Sequence, residues 1–94
     1  MYSATLAYLH AVARAGTDDA RQVVPEMKRQ PVQDPLFGAV TVRQDGRALH
    51  DMHLFEVKKP EESRGAWDYY KLLDTIPGDQ AFRPMSEGNC PMVR

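Results

Sequence analysis

The chain has 94 residues, enough for one small domain with a modest core, because a chain of this length buries only about 60 to 70% of the surface that its unfolded form exposes. Twelve Lys and Arg residues stand against 13 Asp and Glu residues, giving a formal charge of -1 with both signs mixed along the chain. This charge pattern disfavours binding to nucleic acid or to an acidic membrane surface. A mean hydropathy of -0.53, with no run of 18 apolar residues, predicts no membrane insertion.

A first helix is predicted at the start of the chain. Apolar residues recur there at i, i+4, i+7 and i+11, the spacing of one helix face: Tyr2, Leu6, Leu9 and Ala13. Gly16 is suited to end this helix, so we expect it to run from about residue 2 to residue 15. The triplet at residues 11–13 has the small-x-small form of a signal-peptidase site, but no positive charge precedes it, so no signal peptide is predicted.

A second helix is predicted directly afterwards. Thr17 can act as its N-cap, with Asp18 and Asp19 in the first turn near the positive end of the helix dipole. Its apolar face would consist of Ala20, Val23, Val24 and Met27. Pro25 lacks a backbone N–H and clashes with the preceding turn, at a cost of about 3 kcal/mol or more. We therefore expect a kink at Pro25, or a break at which a short further helix begins.

The middle of the chain predicts a β-hairpin. After a connector marked by Pro31 and Pro35, the stretch AVTVRQDGRALHDMHLFEVK contains two predicted strands joined at Asp45–Gly46, a pair typical of two-residue hairpin turns. The second strand has apolar residues on both faces, with Met52 and Leu54 on one and Leu49, Phe55 and Val57 on the other. We expect such a strand to be covered on both sides or to change its buried side partway along.

A third strand is predicted over WDYYKLLDTIPG, after the polar connector KKPEESRG. Its apolar residues also fit a helix, but the aromatic enrichment, the Thr-Ile ending and the Pro-Gly stop favour a strand. The tail from Asp79 onward should be a surface segment with one helical turn around residues 80–82. The predicted fold is therefore α/β, with two N-terminal helices followed by a β-hairpin and a third strand, a set that leaves one face uncovered.

Two histidines raise the question of a metal or catalytic site. His50 and His53 are three residues apart, which places them on opposite faces of a strand, and no third ligand has a suitable spacing. Asp51 and His53 share a strand face, but no nucleophile motif accompanies them. We therefore predict no metal, no cofactor and no catalysis; an enzyme whose turnover depends on His53 is the alternative.

Two further features each admit two interpretations. The aromatic cluster of Trp67, Tyr69 and Tyr70 could stack on a ligand, but packing in a core or an interface is the better explanation. Cys90 is the only cysteine, so the chain cannot form an internal disulfide or a thiolate metal site. It is either a free thiol or the partner of a cysteine outside this chain.

Three stretches, taken in order, resemble one protein family. They are YSATLAYLHAVARAGTDDARQVV, GRALHDMHLFEVKKPEESRGAWDYYKLLDTIPGDQAF and NCPMVR, which together extend over essentially the whole chain. They resemble the C-terminal part of the periplasmic solute-binding proteins of branched-chain amino acid type ABC transporters, the type I or Venus-flytrap binding proteins. The resemblance implies a C-terminal fragment of a periplasmic receptor that binds amino acids or related small carboxylates and delivers them to an ABC permease.

The resemblance also implies a division of the chain. Residues 1–47 would supply helices and a strand of the first lobe, residues 48–57 a strand that crosses the hinge, and residues 58–94 its hairpin partner in the second lobe together with the tail. The hinge crossing would explain why the apolar residues change sides near Leu54 and Phe55. Pro25 departs from the continuous helix that is expected in this family.

Few ligand contacts can be transferred by resemblance, because the family's principal contacts lie N-terminal to this segment. Tyr2, His50 and Asp51 are the candidate ligand-binding residues, by their position near the cleft and the hinge. If the parent protein is exported to an oxidising compartment, Cys90 would form a disulfide with a cysteine upstream of this chain.

Two hypotheses of function follow. In the first, the chain is the C-terminal part of a transport receptor, and on its own it does not bind ligand because it holds only part of the cleft. In the second, it is a stand-alone interaction module derived from that fold. Both hypotheses predict that the isolated chain is a homo-oligomer, since its apolar faces and strand edges lack the partners that would cover them.

Overall fold

In the computed structural model, which describes residues 1–93, the chain forms an α/β unit and a separate two-stranded ribbon. The α-helices are α1 (Tyr2–Ala15), α2 (Ala20–Arg29) and the single-turn α3 (Gly78–Ala81), and the strands are β1 (Val32–Asp34), β2 (Gly38–Val42), β3 (Ala48–Leu49), β4 (Met52–Val57) and β5 (Tyr70–Ile76). Short 3-10 helices lie at Pro60–Glu62, Met85–Glu87 and Pro91–Val93. Strands β1, β2 and β3 form one antiparallel sheet in that order, and β4 pairs with β5 in the ribbon. The α/β class predicted from the sequence is confirmed.

Helix α1 has the predicted bounds. Gly16 ends it in the left-handed region at φ 68°, a conformation that glycine adopts without steric cost, and its N–H donates to the carbonyl of Val12 at 2.9 Å. Ala11 is fully buried where α1 packs against α2. The helix therefore contributes one buried position near its middle and leaves much of its remaining surface exposed.

The predicted start of α2 is wrong. Asp19, not Thr17, is the N-cap, and its Oδ1 accepts the N–H of Arg21 at 2.9 Å. Thr17 Oγ1 accepts the N–H of Asp19 at 3.2 Å, so its side chain stabilises the turn that precedes the helix. Both residues are good caps, and the backbone of this turn brings the Asp19 carboxylate to the free N–H groups. Asp18 and Asp19 consequently lie outside the first helical turn.

Of the two outcomes predicted at Pro25, the break is wrong, because α2 runs through this residue, and the kink stays a prediction. Contacts on both sides of Pro25 hold the helix in place. Val23 is fully buried, and Glu26 forms ion pairs with Arg14 of α1 at 3.6 Å and with Arg29 at 3.0 Å. Packing and ion pairing therefore offset the intrinsic cost of a proline within a helix.

Strand β1 lies within the segment predicted to be a connector, and the side chain of Asp34 at its end organises the following turn. Asp34 is buried, and its Oδ2 accepts the N–H groups of Leu36 and Phe37, both at 2.8 Å. The same oxygen accepts the hydroxyl of Ser3 in α1 at 2.9 Å. Burial raises the pKa of Asp34, but these three hydrogen bonds together lower it below its usual value.

The predicted hairpin is confirmed as the β2–β3 pair, but its turn is longer and its second strand shorter than predicted. Arg43 and Arg47 are linked by a hydrogen bond across the loop, and Gly46 has φ 84°, so three residues rather than two form the turn. The second strand stops at Leu49, and the chain resumes extended structure at Met52 as β4. The interruption at residues 50–51 sends β4 away from the sheet into the ribbon.

The ribbon confirms the third predicted strand and its pairing with the second. Its register shifts between Leu54 and Phe55, where Leu54 faces Asp74 but Phe55 faces Leu72. The extra residue is Leu73, so β5 contains a bulge opposite Leu54 and Phe55. All residues of β4 and β5 are exposed, which means that neither face of the ribbon is covered within this chain.

The core of the chain is small. Ala11 and Val23 are the two fully buried hydrophobic residues among residues 1–93. The radius of gyration of 17.1 Å exceeds the roughly 12 Å expected for a compact domain of this length, and the molecule extends over 53 × 32 × 16 Å. The uncovered surface predicted from the number of elements is therefore present, and it is concentrated on the ribbon.

We predict that this small core makes stability unusually dependent on Val23. Replacing Val23 by Ala removes two methyl groups from a fully buried site and should lower the free energy of unfolding by about 2 kcal/mol. Val24→Ala is the matched control, because the same change on the same helix affects a side chain that is 40% exposed. Urea denaturation followed by circular dichroism would measure both variants, and equal losses of stability would contradict the assigned core.

Candidate functional site

Two connections join the α/β unit to the ribbon, and they touch each other. The first runs from β3 to β4 through His50 and Asp51, and the second runs from β5 to α3 through Pro77. Asp51 Oδ1 accepts the N–H of Gly78 at 2.9 Å. A Cβ atom on Gly78 would lie 2.9 Å from the carbonyl carbon of His50, so glycine is required here by close backbone packing. The two connections thus form one structural region.

The ring of His50 lies between two phenyl rings beside this contact. Its centroid is 4.7 Å from that of Phe37, at the end of the β1–β2 turn, and 5.6 Å from that of Phe82, after α3. His50 Nδ1 is 2.9 Å from the carbonyl oxygen of Asp51. His50 is therefore half-buried by aromatic packing, and its ring joins the α/β unit to the segment that follows the second connection.

The tail returns from this region to the β2–β3 loop. Arg43 pairs with Asp45 through two hydrogen bonds, at 2.9 and 2.6 Å, and its third donor bonds the carbonyl of Arg83 at 3.0 Å. The hydrogen bonds from Arg43 lower the pKa of Asp45 to about 2, against the opposing effect of burial. The guanidinium of Arg47 lies 5.6 Å from the ring centroid of Phe82, a cation–π contact.

Two open cavities flank His50. A polar one of about 490 Å³ lies between the hairpin loop and the tail and includes Arg47, Phe82 and Cys90 in its lining. A more apolar one of about 320 Å³ lies between α1 and the sheet and includes Ser3 and Phe37 in its lining. His50 contributes to the walls of both. Ser3 and Asp34 both line the apolar cavity, and the Ser3 hydroxyl donates to an Asp34 oxygen that also accepts the N–H groups of Leu36 and Phe37, so this pair belongs to the β1–β2 turn.

The three predicted ligand-binding residues occupy two places, with Tyr2 at the start of α1 and the sequence neighbours His50 and Asp51 in the first connection. His50 and Asp51 are consecutive in the first connection, where both contact the second connection or the residues after it. Tyr2 is 64% exposed at the start of α1, and its neighbours Met1 and Ser3 line the apolar cavity together with His50. Ligand contact by these residues stays a prediction, as does the disulfide of Cys90, whose thiol is free and half-buried.

The dyad of Asp51 and His53 does not form. Asp51 bonds the N–H of Gly78, whereas His53 Nδ1 lies 3.1 Å from the hydroxyl of Thr75 across the ribbon. Among residues 1–93, no three His, Cys, Asp or Glu side chains are grouped so that they could hold a metal ion. No helix within that range is long and apolar enough to cross a membrane.

The aromatic cluster lies at the far end of the ribbon and does not pack in a core. Trp67 is 84% exposed, and its ring contacts that of Tyr69 edge-on at 6.1 Å. It occupies the third position of a turn closed by the N–H of Asp68 and the carbonyl of Gly65, with φ 69°. Core packing as the role of this cluster is therefore wrong for this chain, and packing in an interface stays a prediction.

Sequence reasoning missed Asp34 and Gly78. The Asp-Pro pair at Asp34 is a turn signal that was available, since an Asp side chain often bonds the N–H groups that follow a proline in a turn. The Pro-Gly pattern at Gly78 predicts only the end of a strand. Its contact with His50 and Asp51 joins residues 27 positions apart, and no local pattern reports such a contact.

Comparison with known proteins gives the family. The model of the periplasmic binding protein family matches residues 1–65. A periplasmic binding protein from Burkholderia mallei matches 99% of this chain and 24% of its own, at 43% identity and a TM-score of 0.92. The second match is a branched chain amino acid ABC transporter periplasmic ligand-binding protein from Burkholderia xenovorans LB400. The match covers 99% of this chain and 25% of that protein, at 42% identity and a TM-score of 0.90. No curated protein matches.

The chain belongs to the periplasmic binding protein family, as its sequence resemblance implied. It spans about a quarter of the length of the two solved structures that it matches. Members of this family bind and transport ligands, and the two matches cover the α/β unit, both connections and the ribbon alike. The region around His50, Asp51 and Gly78 is accordingly part of the shared fold.

We predict that stability falls in acid through Asp45. Because its pKa is about 2 in the folded chain and 3.8 as a free side chain, its ion pair stabilises the fold fully above about pH 4 and is lost as the pH falls towards 2. At pH 7 the Asp45→Asn variant should be less stable than the wild type, and between pH 7 and 2.5 it should lose less stability than the wild type does. Asp18→Asn, which changes an exposed carboxylate, is the control. Urea midpoints from pH 7 to 2.5 measure this, and parallel curves for wild type and Asp45→Asn would contradict it.

Proposed function

We propose that the chain is the C-terminal part of the ligand-binding receptor of an ABC transporter, that it acts without catalysis, and that the ligands are amino acids or related small carboxylates. The observation that carries the proposal is the match of 99% of the chain, at 42% identity, to a branched chain amino acid ABC transporter periplasmic ligand-binding protein. The same match supports a periplasmic location for the parent protein and a membrane permease as its partner.

The arrangement of the chain supports a role in the hinge between two lobes. A receptor that closes around its ligand needs a few residues that connect two rigid bodies and absorb their relative rotation. Residues 48–57 leave the sheet of the α/β unit and enter the ribbon, as expected of a hinge-crossing strand, and residues 76–78 return. The resemblance assigns the tail to the second lobe together with the rest of residues 58–94, but the hydrogen bonds from Arg43 and Gln44 to the carbonyls of Arg83 and Met92 favour placing it beside the first lobe.

The candidate ligand-binding residues have different prospects in this proposal. Asp51 and His50 are already engaged with Gly78 and with two phenyl rings, so they would act on the ligand through the hinge. Tyr2 is exposed at the start of α1 and is free to reach a ligand directly. Cys90 lines the polar cavity and would be available to a cysteine of the parent protein.

A segment exchange would test the proposed function. Residues 1–94 would replace the matching quarter of the Burkholderia xenovorans relative, and calorimetric titration with branched-chain amino acids and small aromatic acids would measure binding. We expect the chimera to bind the ligand of the unmodified relative within about tenfold of its affinity, since the principal contacts of the family lie outside the exchanged segment. A chimera that folds, as judged by its thermal transition, but gives no saturable heat would contradict the proposal.

The alternative function is self-association, and the exposed ribbon is the observation that favours it. Phe55, Val57, Tyr70 and Leu72 lie on one ribbon face and are 51 to 71% exposed, so that another chain could cover them. The outer backbone edges of β4 and β5 could pair with another strand as well. Exchange of the C-terminal strand between chains would cover the same apolar face and pair the same strand edges.

We predict that the isolated chain forms dimers or larger assemblies and binds no amino acid or small carboxylate tightly. Light scattering behind a sizing column would measure its mass, and Phe55→Lys should shift it towards the monomer because it places a charge on the apolar ribbon face. Thr5→Lys, which adds the same charge at an exposed site of α1, should leave the mass unchanged. A wild-type monomer of 10.6 kDa at micromolar concentration would contradict self-association. A calorimetric titration that gives a dissociation constant below about 100 μM for any of these ligands would contradict the statement that the chain holds only part of the cleft.

A further inference from the structure

We propose that Asp51 and Gly78 form a brace that joins the two connections into a single hinge, so that the β4–β5 ribbon rotates against the α/β unit as one body. The importance of such a brace rests on the proposed function, because a hinge matters in a receptor that closes on its ligand. The brace itself is a property of contacts within this chain.

The first part of the brace is a hydrogen bond between segments that are distant in sequence. Asp51 Oδ1 accepts the N–H of Gly78 at 2.9 Å, across a separation of 27 residues. A carboxylate acceptor makes such a bond stronger than one between neutral groups. The bond fixes the start of β4 to the end of the second connection, so a displacement of one connection carries the other with it.

The second part is the close approach of the two backbones. A Cβ atom on Gly78 would lie 2.9, 3.0 and 3.1 Å from the carbonyl carbon, oxygen and nitrogen of His50. Gly78 is not among the residues with positive φ, so close packing and not backbone conformation requires glycine here. A side chain at this position would separate the two connections.

The third part is the aromatic packing around His50, which fixes the brace to the α/β unit. Phe37 is positioned by the turn that Asp34 organises, and Phe82 follows α3 directly. The His50 ring lies between them, so aromatic packing holds both connections against the α/β unit. Rotation is then confined to the few residues at which β4 begins and β5 ends.

Hydrogen exchange of the Gly78 amide, measured by NMR on the full 94-residue chain, tests the bond. Asp51→Ala removes the acceptor and should speed exchange at Gly78 at least tenfold. Asp51→Asn keeps an oxygen acceptor and should retain most of the protection, while Asp79→Ala removes a neighbouring exposed carboxylate and should have no effect. Unchanged exchange in Asp51→Ala, or an equal effect of Asp79→Ala, would overturn the proposal.

The motion of the ribbon tests the brace as a whole. Spin labels at Arg21→Cys in α2 and Lys71→Cys in β5, in a Cys90→Ser background and diluted with unlabelled chain, report the distance between the two bodies. Gly78→Ala should broaden this distance distribution at least twofold, as should Asp51→Ala. Gly65→Ala is the control, because nothing lies within 4 Å of a Cβ there. Equal widths in all variants would overturn the proposal.

The two proposals fail separately, because these experiments contain no ligand. A chimera that does not bind would contradict the receptor function and leave the brace intact. A chimera that binds, together with an unprotected Gly78 amide, would remove the brace and leave the receptor function standing.

Discussion

The buried carboxylate of Asp34 is the interaction on which the arrangement of this chain depends. One of its oxygens holds the hydroxyl of Ser3 in α1 and two N–H groups of the β1–β2 turn. That turn presents Phe37 to His50, and the backbone of His50 packs on Gly78. A polar contact near the start of the chain thus positions the region that leads into the ribbon. In a chain with so few buried apolar groups, such directional bonds specify the geometry that packing would otherwise provide.

The features predicted correctly from the sequence have local causes. The bounds of α1 follow from an apolar stripe and a glycine that adopts the left-handed conformation, and β5 follows from its aromatic and Pro-Gly signals. Some of the incorrect predictions have local causes, such as the choice between Thr17 and Asp19 as the cap of α2, but others depend on contacts between distant residues. The second strand of the hairpin stops at Leu49, and the next residues, His50 and Asp51, bond or pack with partners elsewhere in the chain. Strand β1, only three residues long, is too short to show a period.

The candidate site was likewise predictable only in part. His50 and Asp51 could be selected because the family resemblance placed them near the hinge, but their roles could not be assigned, since Phe37, Gly78 and Phe82 are far from them in sequence. Pro25 illustrates the converse case. Its local signal predicts a kink or a break, and no break occurs because the buried Val23 and the ion pairs of Glu26 keep the helix continuous. Tertiary contacts outweigh a local preference there, as they commonly do for single residues within a helix.

The placement of Trp67 at the tip of the ribbon has a consequence for spectroscopy. It is the only tryptophan of the chain and is 84% exposed, so its indole is surrounded by water in the folded state. Its emission should already be red-shifted and accessible to iodide before unfolding, and melting of the helices should change it little. Intrinsic fluorescence therefore reports on whatever covers the ribbon tip, whether a second chain or another part of the parent protein, and serves as a natural probe of docking there.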